Sequence, residues 1–87
     1  TIRMHQERQY PGRPIATTLK NPDFSAYARA FGGFGATVER TEDFPDAFTA
    51  AQQSTRPAII HLKIDPEAIT PATTLNQIRQ TALAKAQ

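Results

Sequence analysis

GATVER-TEDFPDAFTAAQQSTR-PAIIHLKI, residues 35–64, is the stretch that decides the fold of this chain. It predicts a strand over residues 36–40, a helix, and a second strand over residues 57–64. The 16 residues between Arg40 and Pro57 are too many for a hairpin and suit the helical crossover that joins two parallel strands. The sequence therefore predicts an α/β fold built on a βαβ unit.

Apolar residues recur with a different period in each part of this unit. A nearly continuous apolar run in the second strand is typical of a strand covered on both faces. Its members are Ala58, Ile59, Ile60, Leu62 and Ile64. In the crossover, apolar residues recur at i, i+3, i+4 and i+7, which predicts one helical face packed on the sheet. They are Phe44, Ala47, Phe48 and Ala51.

Acidic residues cluster where the crossover helix begins. Thr41 or Asp43 can cap the helix, and Glu42, Asp43 and Asp46 place negative charge near the positive end of the helix dipole, so a structural role explains all three acidic residues. A metal site is the alternative, but no histidine or cysteine converges on the cluster. We predict no metal site in this chain.

Composition limits the chain to one ordinary folded domain. Its 87 residues are 39% hydrophobic and 21% charged, which is the balance of a globular protein. No apolar run approaches the roughly 18 residues of a membrane span, so we expect no membrane partner. Because there is no cysteine, disulfides, thiolate metal sites and cysteine nucleophiles are excluded, and a cytoplasmic location is favoured.

Positive charge is concentrated in the first part of the chain. Residues 1–40 hold six Lys or Arg against three Asp or Glu, although the net charge is only +2. Basic residues interleaved with an aromatic such as Tyr10 can indicate a nucleic-acid binder. With one aromatic and no recognition motif, we interpret this stretch as a solvated basic arm and expect no nucleic-acid partner.

Three segments follow from the turn and helix signals. Residues 1–20 form an arm rich in turn residues, with at most one helical turn around residues 4–8. Residues 21–64 read helix, strand, helix, strand, and the first helix begins at Asn21-Pro22-Asp23 with Asn21 as its cap. Residues 65–87 form a tail and a last helix. Thr74 and Gln77, three residues apart, predict a capping box at the start of that helix.

Glycines follow the first of these helices. Gly32, Gly33 and Gly35 are typical of a helix stop, at which one glycine adopts a positive φ. A phosphate-binding loop needs the opposite order, with glycines opening a helix after a strand. The sequence therefore argues against a dinucleotide or P-loop site.

The chain looks like a piece of a longer protein. It starts at Thr1, and its one methionine, Met4, is internal. Two parallel strands alone would also leave both sheet edges open to pairing. We expect the remainder of its own polypeptide to complete the sheet, and a homo-oligomer, dimer or tetramer, to form.

Several motifs taken in order carry a family resemblance. They are the basic arm, Asn21-Pro22-Asp23-Phe24, Ala28-Arg29-Ala30-Phe31-Gly32, Val38, Glu42-Asp43-Phe44, Ala47-Phe48, and the run from Pro57 to Asp65-Pro66. In this order the chain resembles the C-terminal part of the cofactor-binding domain of thiamine-diphosphate-dependent enzymes, in the acetolactate synthase-like group. The resemblance spans residues 1 to about 71.

The resemblance implies a fold and a cofactor. The family's domain is a three-layer sandwich around a parallel sheet, of which this chain would be the C-terminal half. Thiamine diphosphate and Mg²⁺ are held in the family by a motif running from Gly-Asp-Gly to Asn-Asn, and this sequence has no such motif. We therefore expect the cofactor in the full-length enzyme and none bound to this fragment. A glutamate that the chemistry uses comes from another domain, so we expect no catalytic residue here.

Three residues of the arm match positions that have a functional role in the family. Thr1 and Ile2 match a Met and a Val that line the space near the thiazolium ring, so the resemblance makes them cofactor-binding residues. His5 matches a Trp that narrows the substrate channel. The chain departs from acetolactate synthases at all three, which leaves 2-oxo acid chemistry in place and acetolactate formation open.

Two functions follow from the sequence. The first is a fragment of a thiamine-diphosphate-dependent transferase or lyase that forms or breaks carbon–carbon bonds in 2-oxo acids and is inactive alone. The second is a small non-catalytic α/β interaction or regulatory module whose sheet edge recruits a partner.

Overall fold

The computed structural model describes residues 1–86 of the chain. Its helices and strands, in chain order, are α1 (Ile2–Gln9), α2 (Phe24–Ala30), β1 (Phe34–Val38), α3 (Phe44–Ser54), β2 (Ala58–Leu62), β3 (Ala68–Thr70), β4 (Thr73–Thr74) and α4 (Leu75–Ala86). A 3-10 turn, Thr41–Asp43, leads into α3. The elements fall into two compact units. Residues 20–64 form one, and residues 1–19 with the segment from Asp65 onward form the other.

The unit of residues 20–64 contains the predicted βαβ arrangement. Strands β1 and β2 pair in parallel, with Thr37 opposite His61, and α3 is the crossover between them. The predicted α/β class with a parallel sheet is thus confirmed. Strand β1 begins and ends two residues earlier than the predicted 36–40, and Arg40 is instead the N-cap of the 3-10 turn that follows.

One face of this sheet is covered by α2. Successive strand residues point to opposite faces, so the paired Thr37 and His61 share one face. On it, Ser25 Oγ lies 2.6 Å from Thr37 Oγ1, and the Phe24 ring meets the His61 ring edge-on with centroids 5.1 Å apart. Gly35 belongs to the same face, and a Cβ there would collide with the Ser25 carbonyl group. Glycine at this position therefore allows α2 to lie close against β1.

The opposite face of the sheet is covered by α3. Val38 points to that face and is only 6% exposed, and α3 contacts both strands. The sheet thus lies between two helical layers, as in part of a three-layer sandwich. Strand β2 is less buried than predicted, since Ala58 and Leu62 are exposed and Ile60 is half-buried. Among residues 1–86, β1 is the only strand that pairs with β2.

Helix α2 begins two residues later than an Asn21 cap would place it. Asp23 is the cap, because its Oδ1 accepts hydrogen bonds from the backbone N–H groups of Ser25 and Ala26 at 3.0 and 3.1 Å. These bonds, the one from Ala26 foremost, hold the pKa of Asp23 below its ordinary value. At the other end, Gly32 has a φ of +78°, which confirms the predicted glycine stop.

In the other unit, α1 packs against α4. α1 spans eight residues, more than the single turn that the sequence predicts for this arm. Its one buried residue is the charged Glu7, at 0% exposure. Arg79 of α4 binds the Glu7 carboxylate through two hydrogen bonds, Nε to Oε2 at 2.8 Å and Nη2 to Oε1 at 2.7 Å. The Gly12 backbone N–H donates a third bond to Oε2 at 2.8 Å.

This pair keeps Glu7 ionised despite its burial. Arg79 lowers the pKa of Glu7 by its hydrogen bonds, burial opposes that shift, and the Gly12 N–H adds to it, so that the pKa lies below the ordinary value of 4.5. The same hydrogen bonds raise the pKa of Arg79. A buried carboxylate that is bound by a bidentate arginine and one backbone N–H fixes the geometry of the two helices more strictly than an apolar contact would.

The segment before α4 is more ordered than the tail that the sequence predicts. Strands β3 and β4 form a short antiparallel pair. The predicted capping box is confirmed, because the Gln77 side chain accepts from the Thr74 N–H at 2.7 Å and the Thr74 hydroxyl accepts from the Gln77 N–H at 3.2 Å. Leu75 is the buried apolar residue of α4.

We expect Gly35→Ala to destabilise the chain by about 3 kcal/mol, because the added Cβ would force α2 away from β1. Gly12→Ala is the control: φ is also unfavourable there at +76°, but nothing lies within 4 Å of an added Cβ, so a loss of about 1 kcal/mol is expected. Urea denaturation measures both. Equal losses in the two variants would contradict the close approach of α2.

We expect Glu7→Gln to cost about 3 kcal/mol, because it leaves the Arg79 guanidinium without its carboxylate. The pKa of Glu7 is lowered in the folded chain, so its contribution is complete above the ordinary value and is lost as pH falls through the folded pKa. Stability should therefore decline below about pH 4.5 in the parent. The decline should be shallower in the variant when both are unfolded in urea across pH. Identical pH profiles would contradict this account.

Candidate functional site

The two residues predicted to face the cofactor open helix α1. Thr1 is the residue before the helix, and its carbonyl accepts a hydrogen bond from the His5 N–H at 3.2 Å. Its side chain makes no capping hydrogen bond. Ile2 is the first helical residue and is 69% exposed. An exposed isoleucine at a helix start contributes little to this unit's stability and is available to a ligand.

Thr1 and Ile2 lie in one groove of about 370 Å³. Its other lining residues are Arg3, Ala16, Thr17 and Leu19. His5 does not line the groove; it is exposed, one turn further along α1. The structure therefore brings together the two predicted cofactor residues and leaves the predicted channel residue outside their groove.

The far wall of the groove is a loop that α1 holds by polar contacts. Gln6 Nε2 donates to the Ile15 carbonyl at 2.9 Å, and the Thr17 hydroxyl donates to Gln6 Oε1 at 3.0 Å. Between these anchors, Ala16 adopts a φ of +59°, a conformation that costs an alanine about 1 to 2 kcal/mol. Strain of this kind persists where the surroundings fix the backbone, and it concentrates at binding sites.

Arg3 is the charged residue of the groove, and two hydroxyls fix its position. Its Nε donates to Thr17 Oγ1 at 3.2 Å and its Nη2 donates to Thr18 Oγ1 at 2.7 Å. From the sequence alone, Arg3 is one member of a solvated basic arm, and the loop residues of the groove carry no recognisable signal. The only signal in the sequence is that Arg3 directly follows the two residues carried over from the family.

A second groove, of about 290 Å³, lies in the unit of residues 20–64, beside α2 and β2. Its lining is almost entirely apolar and consists of Tyr27, Ala28, Phe31, Gly33, Pro57, Ala58 and Ile59. Phe31 is 79% exposed, and its ring centroid lies 5.1 Å from that of Tyr27. Apart from the Tyr27 phenol, none of these lining residues is an acid, base or nucleophile, so the groove suits packing more than chemistry.

His61 is a strand residue, as predicted. Its ring packs against Phe24, and its Nδ1 is buried without a hydrogen-bond partner among the described residues. Asp23, which interacts electrostatically with His61, is occupied with capping α2 and so is not a free partner for the imidazole.

Neither a metal centre nor a membrane span is found in residues 1–86. No three His, Cys, Asp or Glu side chains of this part of the chain come together to hold a metal ion. The acidic cluster before α3 is accounted for in part by Arg40, which lies 2.9 Å from Glu42 and 3.9 Å from Asp43. None of the helices described is long and apolar enough to cross a membrane.

Comparison with protein-family models identifies a family for most of the chain. Residues 1–62 match the family model described as the thiamine pyrophosphate enzyme, C-terminal TPP binding domain. The match includes α1, the loop that lines the groove, and the whole βαβ unit, and it ends with β2. Neither the curated proteins nor the solved structures contain a significant match to the chain.

Proposed function

The chain belongs to the thiamine pyrophosphate enzymes, as part of their C-terminal TPP-binding domain, and on that premise we propose that its enzyme acts on 2-oxo acids. The reaction proposed is acetolactate synthase-like, with carbon–carbon bond formation by a transferase or decarboxylation by a lyase. The observation that carries the proposal is the family match over residues 1–62. The motifs between Asn21 and Pro66 support the acetolactate synthase-like group.

The groove at the start of α1 fits the ring end of the cofactor. Ile2, Ala16 and Leu19 give it apolar walls, which suit an aromatic ring. The diphosphate end needs oxygen ligands for a metal and N–H donors for phosphate. Residues 1–86 hold no metal-ligating cluster, and the sequence lacks the Gly-Asp-Gly to Asn-Asn motif. We therefore assign thiamine diphosphate and Mg²⁺ to the full-length enzyme, with this chain contributing the surface near the thiazolium ring.

When bound, thiamine diphosphate stabilises a carbanion next to a carbonyl, and the protein supplies orientation and electrostatics. In this chain, Ile2 and Leu19 would exclude water from the reacting face. Arg3 would supply positive charge at the same place. No acid or base is needed from the groove itself, which agrees with the absence of carboxylates and histidines from its lining.

The departures from acetolactate synthases bear on the substrate. His5 replaces a tryptophan, and an imidazole fills less of a channel than an indole. We propose that the enzyme accepts a bulkier or different second substrate than acetolactate synthases do. His5 is the residue to which we assign this selectivity, because it is exposed and lies on the same helix as the groove residues.

The proposed partners are the rest of the polypeptide and further copies of it. In the part of the chain that the structure describes, β1 and β2 pair only with each other, and the groove beside Tyr27 and Phe31 is apolar and open. Both features suit coverage by the remainder of the same enzyme, assembled as a dimer or tetramer. They also support the second candidate, a non-catalytic module that recruits a partner strand. A cytoplasmic location is proposed from the cysteine-free sequence.

The first test separates these two functions. The full-length polypeptide should bind thiamine diphosphate in the presence of Mg²⁺ and release CO₂ or form a new carbon–carbon bond from a 2-oxo acid. The 87-residue chain alone should show no calorimetric binding of the cofactor, because the diphosphate ligands are absent from it. Micromolar binding by the chain alone would contradict the assignment of the diphosphate ligands to the rest of the polypeptide. A full-length protein without thiamine-dependent activity would favour the interaction module.

The second test concerns His5. We expect His5→Ala and His5→Trp to change the relative kcat/KM across a panel of 2-oxo acids by about 10-fold or more, because the side chain is assigned to the channel. The His5 side chain is exposed and contributes little to stability, so the melting temperature of both variants should stay the same. Gln9→Ala, an exposed change on the same helix, is the control. Unchanged selectivity with a lowered melting temperature would overturn the assignment.

A further inference from the structure

Arg3 lies in the groove with more hydrogen-bond capacity than the fold uses. Nε and Nη2 are held by Thr17 and Thr18, whereas Nη1 makes no hydrogen bond to any residue in the described range 1–86. Two fixed nitrogens leave the guanidinium plane immobilised beside the apolar walls, with its remaining N–H groups available to a ligand. A group positioned in advance in this way binds with less loss of conformational freedom.

Within residues 1–86, Arg3 makes a minor electrostatic contribution: its charge helps to lower the pKa of Glu7, behind the larger effects of Arg79, burial and the Gly12 N–H. Arg3 is in the first turn of α1, where a positive charge faces the positive end of the helix dipole and is unfavourable. The carboxylate one turn along, Glu7, uses its oxygens for Arg79 and Gly12. Arg3 forms no ion pair within residues 1–86. An arginine that is held by two hydroxyls, has no close ion pair in residues 1–86 and sits at the unfavourable end of the helix dipole has N–H groups left for an anionic ligand.

The groove also defines the rest of that ligand. Its other walls include Ile2, Ala16 and Leu19, so the ligand has a small apolar body attached to the anionic group. A planar carboxylate matches the guanidinium fork. We propose that Arg3 binds the carboxylate of the 2-oxo acid substrate, with Thr17 and Thr18 as the residues that position it. This inference rests on the proposed function and names the recognition element of its substrate.

The experiment uses the full-length polypeptide and a substrate mimic that does not react. Oxamate, an isostere of pyruvate, and its neutral amide oxamide are titrated by calorimetry with and without thiamine diphosphate. In Arg3→Gln the Kd of oxamate should rise about 10- to 100-fold, as expected for loss of a charged hydrogen bond, while the Kd of oxamide stays the same. Thr18→Val keeps the charge but loses one positioning bond, so its rise should be smaller. Arg13→Gln, an exposed arginine that does not line the groove, should change neither Kd.

Three results would overturn the inference: no binding of oxamate to the parent protein, an unchanged oxamate Kd in Arg3→Gln, or weakened thiamine diphosphate binding in place of weakened oxamate binding. The last result would assign Arg3 to the cofactor's phosphates.

If Arg3→Gln does not fold, Arg3→Lys is the alternative variant. It retains the charge without the guanidinium fork and should still weaken the binding of oxamate. Binding of oxamate through Arg3 without any turnover of 2-oxo acids would defeat the proposed function alone. Turnover with an unchanged oxamate Kd in Arg3→Gln would defeat this inference alone.

Discussion

A carboxylate with no access to water, that of Glu7, is the constraint on which the candidate site depends. An ionised carboxylate is stable there only because Arg79 and the Gly12 N–H replace its hydration. The pair fixes α1 against α4, and Gly12 fixes the start of the loop that follows α1. That helix and that loop form the two walls of the groove. The candidate groove, which is formed largely by exposed residues, is thus positioned by an ion pair whose carboxylate is fully buried.

The parts of the fold that the sequence predicts are those with local signals. The crossover length and the apolar periods of residues 35–64 were enough for the parallel βαβ unit, and Thr74 with Gln77 was enough for the start of α4. The length of helix α1 is not predicted by its sequence, because a helix is recognised by apolar residues on its buried side and α1 buries none. Its buried residue is Glu7, whose partner lies 72 positions away. No local pattern indicates such a pair.

The candidate site was predictable only in part, for a related reason. Thr1 and Ile2 came from the family resemblance, and the structure does place them in one groove. The loop residues that complete it have no periodicity, and Ala16 occupies a backbone region that its residue type does not favour. The role of Arg3 depends on hydroxyls 14 and 15 positions away. Such a site is defined by tertiary hydrogen bonds, and these cannot be predicted from a local sequence pattern.

The large sequence separation between Glu7 and Arg79 also determines the order in which contacts can form during protein synthesis. The contacts within residues 20–64 join residues that are near one another in the sequence, so they can form soon after this segment leaves the ribosome. Contacts between residues far apart in the sequence form later. Glu7 emerges first and must remain in water until α4, 72 residues later, has been made. The contact that fixes α1 against α4 can therefore form only after residues 20–64 have been synthesised, and a chain that ends before Arg79 would leave the Glu7 carboxylate without its guanidinium partner.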